Sequence, residues 1–361
     1  MSRPPTPKLV TKATLVTVSH AIERAALAAA EDGPMLVVAF FQRLPYFERE
    51  RQVYERIANS AAITVLGLVA DNAPDLPAGT HLVPLGENEA YAREWTVLVL
   101  TPRFGAVLEA YDREQVDGSA QTLESGRLFD ASWSFRRDDA LHKALSVQAA
   151  VADRLSPGAR DAFAGVLSYV RDVPAGAGET RADAVLDLLV ERTERVGTEL
   201  ARARRLGATP DGSPVSDPDE VRRWSGTGGV TASGTLPVAM LAVRVPAPHQ
   251  LPEQAGRRTG ALRNEGLIAV LSGVLRDMDR ITRLGENDFL LMLPALAFDD
   301  TVKLSHRLHA DLANAAAHNP FLAGTAHMVV LSTRQRPFPE GRILEALAWA
   351  EREGVPVARL D

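Results

Sequence analysis

Strand-length apolar runs alternate with amphipathic helical stretches along this chain, and that alternation limits it to an α/β architecture. The run MLVVAFF (35–41) follows Gly33-Pro34 and reads as a buried strand. It is flanked by helical patterns, TLVTVSHAIERAALAAAE (14–31) before it and PYFERERQVYERIANSA (45–61) after it. ITVLGLVAD (63–71), HLVPL (81–85), WTVLVLT (95–101) and AVLEAYD (106–112) read as successive strands of a sheet with at least one covered face. No glycine-rich phosphate loop joins any of these strands to a helix, which argues against a Rossmann or P-loop site here.

From Asp138 to about Arg205 the pattern is wholly helical. DDALHKALSVQAAVADRL (138–155) is one helix, Ser156-Pro157 starts a second, and ADAVLDLLVERTERVGTELARARR (182–205) forms a third. On the third, Val185, Leu189, Val196 and Leu200 share a stripe. Packing on its own domain is the plainer use of that stripe; a parallel dimer helix is the sharper one. LGATPDGSPVSDPDE (206–220) is rich in Pro, Gly, Ser and Asp and marks a linker. A second α/β series begins near Leu236: strand PVAMLAVRV, long helix to about Leu275, short hairpin, helix 298–317, strand TAHMVVLS, helix 341–352, strand VPVARL. The expected organisation is an N-terminal α/β domain (1–137), a helical connector (138–207), a linker (208–235) and a C-terminal α/β domain (236–361) whose central sheet contains antiparallel strands.

Composition narrows the chemistry. The 361 residues include no cysteine, which excludes thiolate nucleophiles and cysteine metal sites, and the eight histidines show no HxxxH or HExxH spacing. No apolar run approaches the roughly 20 residues of a membrane span, and MSRPPTPK lacks the apolar core of a signal peptide. A cytoplasmic protein without membrane insertion is expected. The net charge of −6 gives no global attraction to nucleic acid. Among 40 basic residues only Lys8, Lys12, Lys143 and Lys303 are lysines, so any phosphate or guanine contact falls to arginine, the better fork.

Three segments, TLVTVSHAIE (14–23), AFFQRLPYFERERQVYERIA (39–58) and FDASWSF (129–135), resemble the DICT sensory domain of bacterial signalling proteins over roughly residues 8–150. In the C-terminal domain, Arg283-Leu284-Gly285-Glu286-Asn287-Asp288-Phe289 resembles a decayed GGDEF motif, the signature of diguanylate cyclases, and the family's spacing fits from Arg244 to Phe289 without a gap. Joining two GTP molecules needs divalent cations held by carboxylates. The resemblance puts Arg244 and Asn287 where the family has its metal-binding acids. A guanidinium there repels a cation, and a lone Asp288 beside it does not rebuild the site. Glu286 replaces the glycine that lets the turn approach phosphates. The family's guanine-reading Asn and Asp match Pro252 and Ala261. Its GHxxGD pattern survives only as Gly256-Arg257-Arg258-Thr259-Gly260-Ala261, and its later Lys and Arg become Glu351 and Val355. The expectation is a domain that is not an enzyme.

The resemblance also implies a retained ligand site. Arg276-Asp277-Met278-Asp279 is an RxxD separated from Gly285 by RITRL, the family's spacing for its product-binding inhibitory site. Arginine donates in a fork to guanine O6 and N7, and aspartate accepts from N1–H and the amino group. The family's third contact falls on Arg307. The plainer reading of Arg276 and Asp279 is an exposed ion pair, or a cap for the hairpin. Elsewhere, Arg136-Arg137-Asp138-Asp139 reads as a capped, solvated turn, His20 as packed or partly exposed, Trp133 and Phe135 as core, and Arg257-Arg258 as a solvated loop. The favoured function is a catalytically inactive signalling protein that binds cyclic di-GMP at Arg276, Asp279 and Arg307 and relays this to a protein partner, as a homodimer and without a cofactor. The alternatives are a dimerising interaction scaffold without ligand, and a weak residual GTP binder or cyclase.

Overall fold

The computed structural model describes residues 6–28, 33–69, 74–174, 176, 178–207, 214–226, 236–246, 256–319 and 322–360. The chain divides into two compact units, Met1–Arg113 with Leu128–Gly197, and Glu114–Arg127 with Thr198–Asp361. No helix among the described residues is long and apolar enough to cross a membrane.

The first unit runs β1 (Lys8–Thr11), α1 (Lys12–Ala26), β2 (Leu36–Arg43), α2 (Leu44–Ala58), β3 (Ile63–Val69), β4 (Thr80–Pro84), α3 (Ala90–Arg93), β5 (Glu94–Leu100), β6 (Gly105–Val116), β7 (Arg127–Ser134), α4 (Arg137–Val151), α5 (Pro157–Asp172) and α6 (Glu179–Gly207). Its seven-stranded sheet has the order β1-β7-β6-β5-β2-β3-β4. β2, β3 and β4 are parallel, and β5 pairs antiparallel with β2. The period of two along β2 explains how this sheet is covered. Val37, Ala39 and Phe41 meet Leu15, Val18 and Ile22 of α1 and Phe47, Tyr54 and Ile57 of α2. Leu36, Val38 and Phe40 face the other way, onto Ala140, Ala144 and Val147 of α4 and Phe163, Val166 and Val170 of α5. Most of the expected connector therefore belongs to the first unit. A strand apolar on both faces needs helices on both, and α1 and α2 supply only one layer.

α6 docks with its polar face. Lys8 Nζ lies 2.7 Å from both Asp187 Oδ1 and Glu191 Oε1, and the Phe135 N–H donates to Asp183 Oδ1 at 2.7 Å. The expected apolar stripe faces outward: Val185, Leu189, Val196 and Leu200 are 59%, 54%, 53% and 47% exposed. Packing of that stripe on its own domain is thus not observed. The turn before α4 also differs from its reading, since Arg137 is buried and donates to the carbonyls of Pro102 and Val173 at 2.9 and 2.5 Å. Trp133 is in the core as expected, and Phe135 packs against it.

The second unit contains β8 (Val215–Ser216), α7 (Pro218–Ser225), β9 (Val238–Arg244), α8 (Gly256–Ser272), β10 (Arg280–Arg283), β11 (Asp288–Pro294), α9 (Phe298–His318), β12 (His327–Thr333), α10 (Glu340–Arg352) and β13 (Val357–Arg359). Its six-stranded sheet, ordered β13-β12-β9-β11-β10-β8, has an antiparallel centre with a parallel pair at each edge. One face of β9 (Ala239, Leu241, Val243) packs on Leu267 and Leu271 of α8 and Leu308 and Leu312 of α9. The other (Val238, Met240, Ala242) packs on Ile343, Leu347 and Ala350 of α10. One helix does not cover that face, and Val221 and Trp224 of α7 with Val116 and Leu123 of the 114–127 segment complete it. The expected linker 208–235 thus contains a strand and a packed helix. The expected first domain, 1–137, likewise gives up Glu114–Arg127 to the second unit.

Candidate functional site

The Arg283–Phe289 segment forms the β10–β11 turn. The N–H groups of Leu284 and Gly285 donate to the Asp288 carbonyl at 2.9 and 3.3 Å, closing the turn tightly enough to hold Glu286 and Asn287 at its tip. Antiparallel register then sets Asp288 of β11 opposite Arg244 of β9. Arg244 donates from Nε to Asp288 Oδ1 and from Nη2 to Asp288 Oδ2, both at 2.7 Å, and its Nη1 reaches Glu351 Oε2 on α10 at 3.0 Å. Both members of the pair are largely buried, with 18% and 11% of their side chains exposed. Donation to Asp288 holds the Arg244 proton more firmly than usual.

A second arginine, which sequence reasoning did not single out, completes this cluster. Arg263 of α8 is buried; its Nη1 donates to Asn287 Oδ1 at 3.0 Å, and its Nη2 donates to the carbonyls of Val245 and Pro246. Burial pulls its pKa down. No local motif signals Arg263, because its partners lie 17 to 24 residues away in sequence. Asp288 and Glu351 of this corner thus both face an internal cation, the Arg244 guanidinium. Pro252 lies outside the described residues, as do the side chains of Arg257, Arg258 and Thr259. Ala261 is exposed on α8.

Arg276 and Asp279 are brought together in the loop between α8 and β10. Asp279 Oδ2 accepts from the Arg276 backbone N–H at 2.7 Å and from Nε at 3.0 Å, while Oδ1 accepts from Nη2 at 2.8 Å. Nη2 also donates to the Pro294 carbonyl at 2.8 Å. Only 1% of the Asp279 side chain is exposed, against 39% for Arg276. The carboxylate therefore closes the turn and aims the guanidinium, whose outer edge meets solvent. Gly118 supports this turn: a Cβ there would come within 2.9 Å of the Asp277 carbonyl carbon, so only glycine allows the approach. Arg307 stands apart on α9, 74% exposed, with Asp311 Oδ2 3.8 Å away. Among the described residues nothing joins it to Arg276 or Asp279.

The first unit holds a different polar cluster. Glu23 of α1 is buried and accepts from Ser19 Oγ at 3.0 Å and from the Tyr54 hydroxyl at 3.2 Å. Burial, and then repulsion from Glu50 of α2, pushes its carboxyl up to about 7. His20, exposed one turn before it, lies 3.4 Å from Glu50. The ligating atoms of His20, Glu23 and Glu50 fall within 4.8 Å of one another, a set able to hold a cation.

Residues 1–113 match the family model DICT, a sensory domain in diguanylate cyclases and two-component systems. No curated protein matches the chain. Among solved structures, the chain is similar to a microbial GGDEF domain studied with cyclic di-GMP (16% identity, 36% of this chain and 80% of that one, TM-score 0.28). It is also similar to the coiled coil and GGDEF domain of DgcB from Caulobacter crescentus in complex with c-di-GMP (16% identity, 50% and 99%, TM-score 0.30). A third is the diguanylate cyclase SiaD with its activator SiaC from Pseudomonas aeruginosa (17% identity, 62% and 88%, TM-score 0.36).

Proposed function

We propose that this chain is a signalling protein that couples a DICT sensory unit to a GGDEF-like unit which no longer makes dinucleotide. The observation that carries this reading is the Arg244 guanidinium held between Asp288 and Glu351 where a cyclase would need a cation. A fixed internal cation and a divalent metal compete for the same oxygens, and the pair at 2.7 Å has already taken them. Incubating the full chain with GTP and Mg²⁺ or Mn²⁺, followed by chromatography, is expected to give no cyclic di-GMP. Product formation overturns the reading and restores the residual-cyclase alternative.

Its output, on this reading, is cyclic di-GMP recognition centred on Arg276, with Asp279 and Arg307 as further contacts, relayed to a protein partner. The exposed edge of Arg276 supports it. Asp279 sets the condition, because a guanine must take over part of the fork that now rests on that carboxylate. Calorimetry on the full chain is expected to show micromolar or tighter binding that Arg276→Ala abolishes.

The burial of Asp279 favours a second reading, an interaction scaffold that binds no dinucleotide. Its contact surface is then the outward stripe of α6, covered by a second copy of this chain. Absence of heat with cyclic di-GMP, together with a dimer in solution, selects that reading.

A further inference from the structure

Two helices of the first unit bring metal-ligating groups to one place. His20 and Glu23 are three residues apart on α1, and Glu50 and Tyr54 are four apart on α2, so each pair shares a helix face. Val18 and Ile22 of α1 pack into the same core as Phe47, Tyr54 and Ile57 of α2. One imidazole nitrogen and two carboxylates converge as a result, their ligating atoms within 4.8 Å of one another. Donors bound to one ion at about 2.1 Å lie roughly 3–4.2 Å apart. His20 Nε2 and Glu50 Oε1, 3.4 Å apart, already have that spacing.

Glu23 adds an independent observation. It is 3% exposed, and both of its hydroxyl donors, Ser19 and Tyr54, reach the same oxygen, Oε1, at 3.0 and 3.2 Å. Among the described residues Oε2 accepts from no donor. A buried carboxylate oxygen without a donor is costly, and repulsion from Glu50 adds to the cost. No lysine or arginine among the described residues pairs with either acid. Lys12 and Arg49 come near, but stand over the Tyr46 ring, 4.5 and 5.7 Å from its centroid. The Tyr54 ring is fully buried and meets Phe41 and Phe47 edge-on at 5.1 and 6.4 Å, so the hydroxyl that orients Glu23 is itself fixed.

His20 and Glu50 also line a cavity of about 70 Å³, whose aromatic wall is Phe41, Trp95 and Phe129. That volume is too small for an organic ligand but holds several waters. An ion held by three protein groups takes its remaining ligands from such waters.

We propose that His20, Glu23 and Glu50 form a binding site for a divalent transition-metal ion of the zinc class. The imidazole nitrogen selects against Mg²⁺ and Ca²⁺, which take oxygen ligands, and the two carboxylates balance the charge of a dication. Calorimetry of Zn²⁺ into the metal-free full chain is expected to show a single equivalent bound at micromolar Kd or tighter. Mg²⁺ and Ca²⁺ should bind at least about a hundredfold more weakly. His20→Ala and Glu50→Gln should each lower the Zn²⁺ affinity by at least about tenfold, and Glu23→Gln likewise. His20 is exposed, so its variant keeps the test decisive even if the buried Glu23→Gln unfolds. No uptake of Zn²⁺ at millimolar concentration, equal affinity for Mg²⁺, or unchanged Zn²⁺ affinity in both His20→Ala and Glu50→Gln overturns the proposal.

Discussion

Asp288 in the second unit and Glu23 in the first are buried carboxylates, each beside a second acid. Asp288 receives a two-point fork from Arg244, and Glu351 takes that guanidinium's remaining edge. Glu23 receives only hydroxyl donors, from Ser19 and Tyr54, and Glu50 adds repulsion. The contrast teaches what each unit can still do. Where charge is paired internally, the two partners offset each other's burial. Where it is not, burial and the neighbouring Glu50 push the carboxyl up to about 7. Glu23 thus carries a charge that no cation among the described residues neutralises, whereas the Arg244 corner pairs its acids with a guanidinium.

The largest effect expected from breaking this contrast is on the Arg244 pair. Arg244→Ala leaves Asp288 buried beside Glu351 with no cation, which should cost about 3 kcal/mol in denaturant unfolding. Adding Asp288→Ala should recover much of the loss, because the second change removes the stranded charge. Simple additivity of the two variants would show that the pair is not coupled, and the contrast with Glu23 would fail.

Next in size is the pH response of the first unit. The Glu23 carboxyl rises from 4.5 in the unfolded chain to about 7 in the folded one. Its folded pKa is raised, so the protonated group favours folding. That contribution is complete below pH 4.5 and is lost as pH climbs through 7. The span corresponds to a loss on the order of 3 kcal/mol at most. Glu23→Gln should flatten the stability profile in this window and exceed the unaltered chain above it. Glu50→Gln should lower the pH at which the loss occurs. A profile unchanged by Glu23→Gln would assign the titration to His20 or another group.

These two clusters also mark how far the sequence could be read. The β2 run and the hairpin of the signature were legible, because strand period and motif spacing are local properties; the pairing of Arg244 with Asp288, 44 residues apart, was not. The role of α4 and α5 was not. Their apolar positions signal a buried face but not which sheet buries it. α6 misled for a related reason: its apolar stripe suggests the inner face, yet ion pairs from Lys8 and hydrogen bonds to Asp183 and Glu194 turn the acidic face inward. Arg263 and the aromatic cavity depend on residues far apart in the chain, from Lys12 to Phe129 in the cavity's case, which no spacing rule joins.

A smaller change in stability separates the Arg276 pair from the Arg244 pair. Arg276 is 39% exposed and solvent screens its share, so Arg276→Ala should cost no more than about 1 kcal/mol. Asp279→Ala should cost more, about 1–3 kcal/mol, because the Arg276 N–H and fork lose a buried acceptor. If Arg276→Ala abolishes cyclic di-GMP binding at that modest cost, the residue acts as a ligand contact. If both variants unfold the second unit alike, the pair is a structural latch and the scaffold reading gains.

The smallest expected effect on stability, and the sharpest on assembly, belongs to α6. Leu189 is 54% exposed and lies between Val185 and Val196 on the outward stripe. Leu189→Glu buries no charge within the chain, so its unfolding midpoint should shift by less than about 0.5 kcal/mol in free energy. In a dimer built on this stripe, by contrast, two introduced carboxylates meet across a desolvated seam and repel. Sedimentation of the unaltered chain at about 50 µM is then expected to report a dimer, and Leu189→Glu a monomer of equal stability. A monomeric unaltered chain removes the second copy as the cover for α6. It leaves Arg276 as the sole proposed output of the second unit.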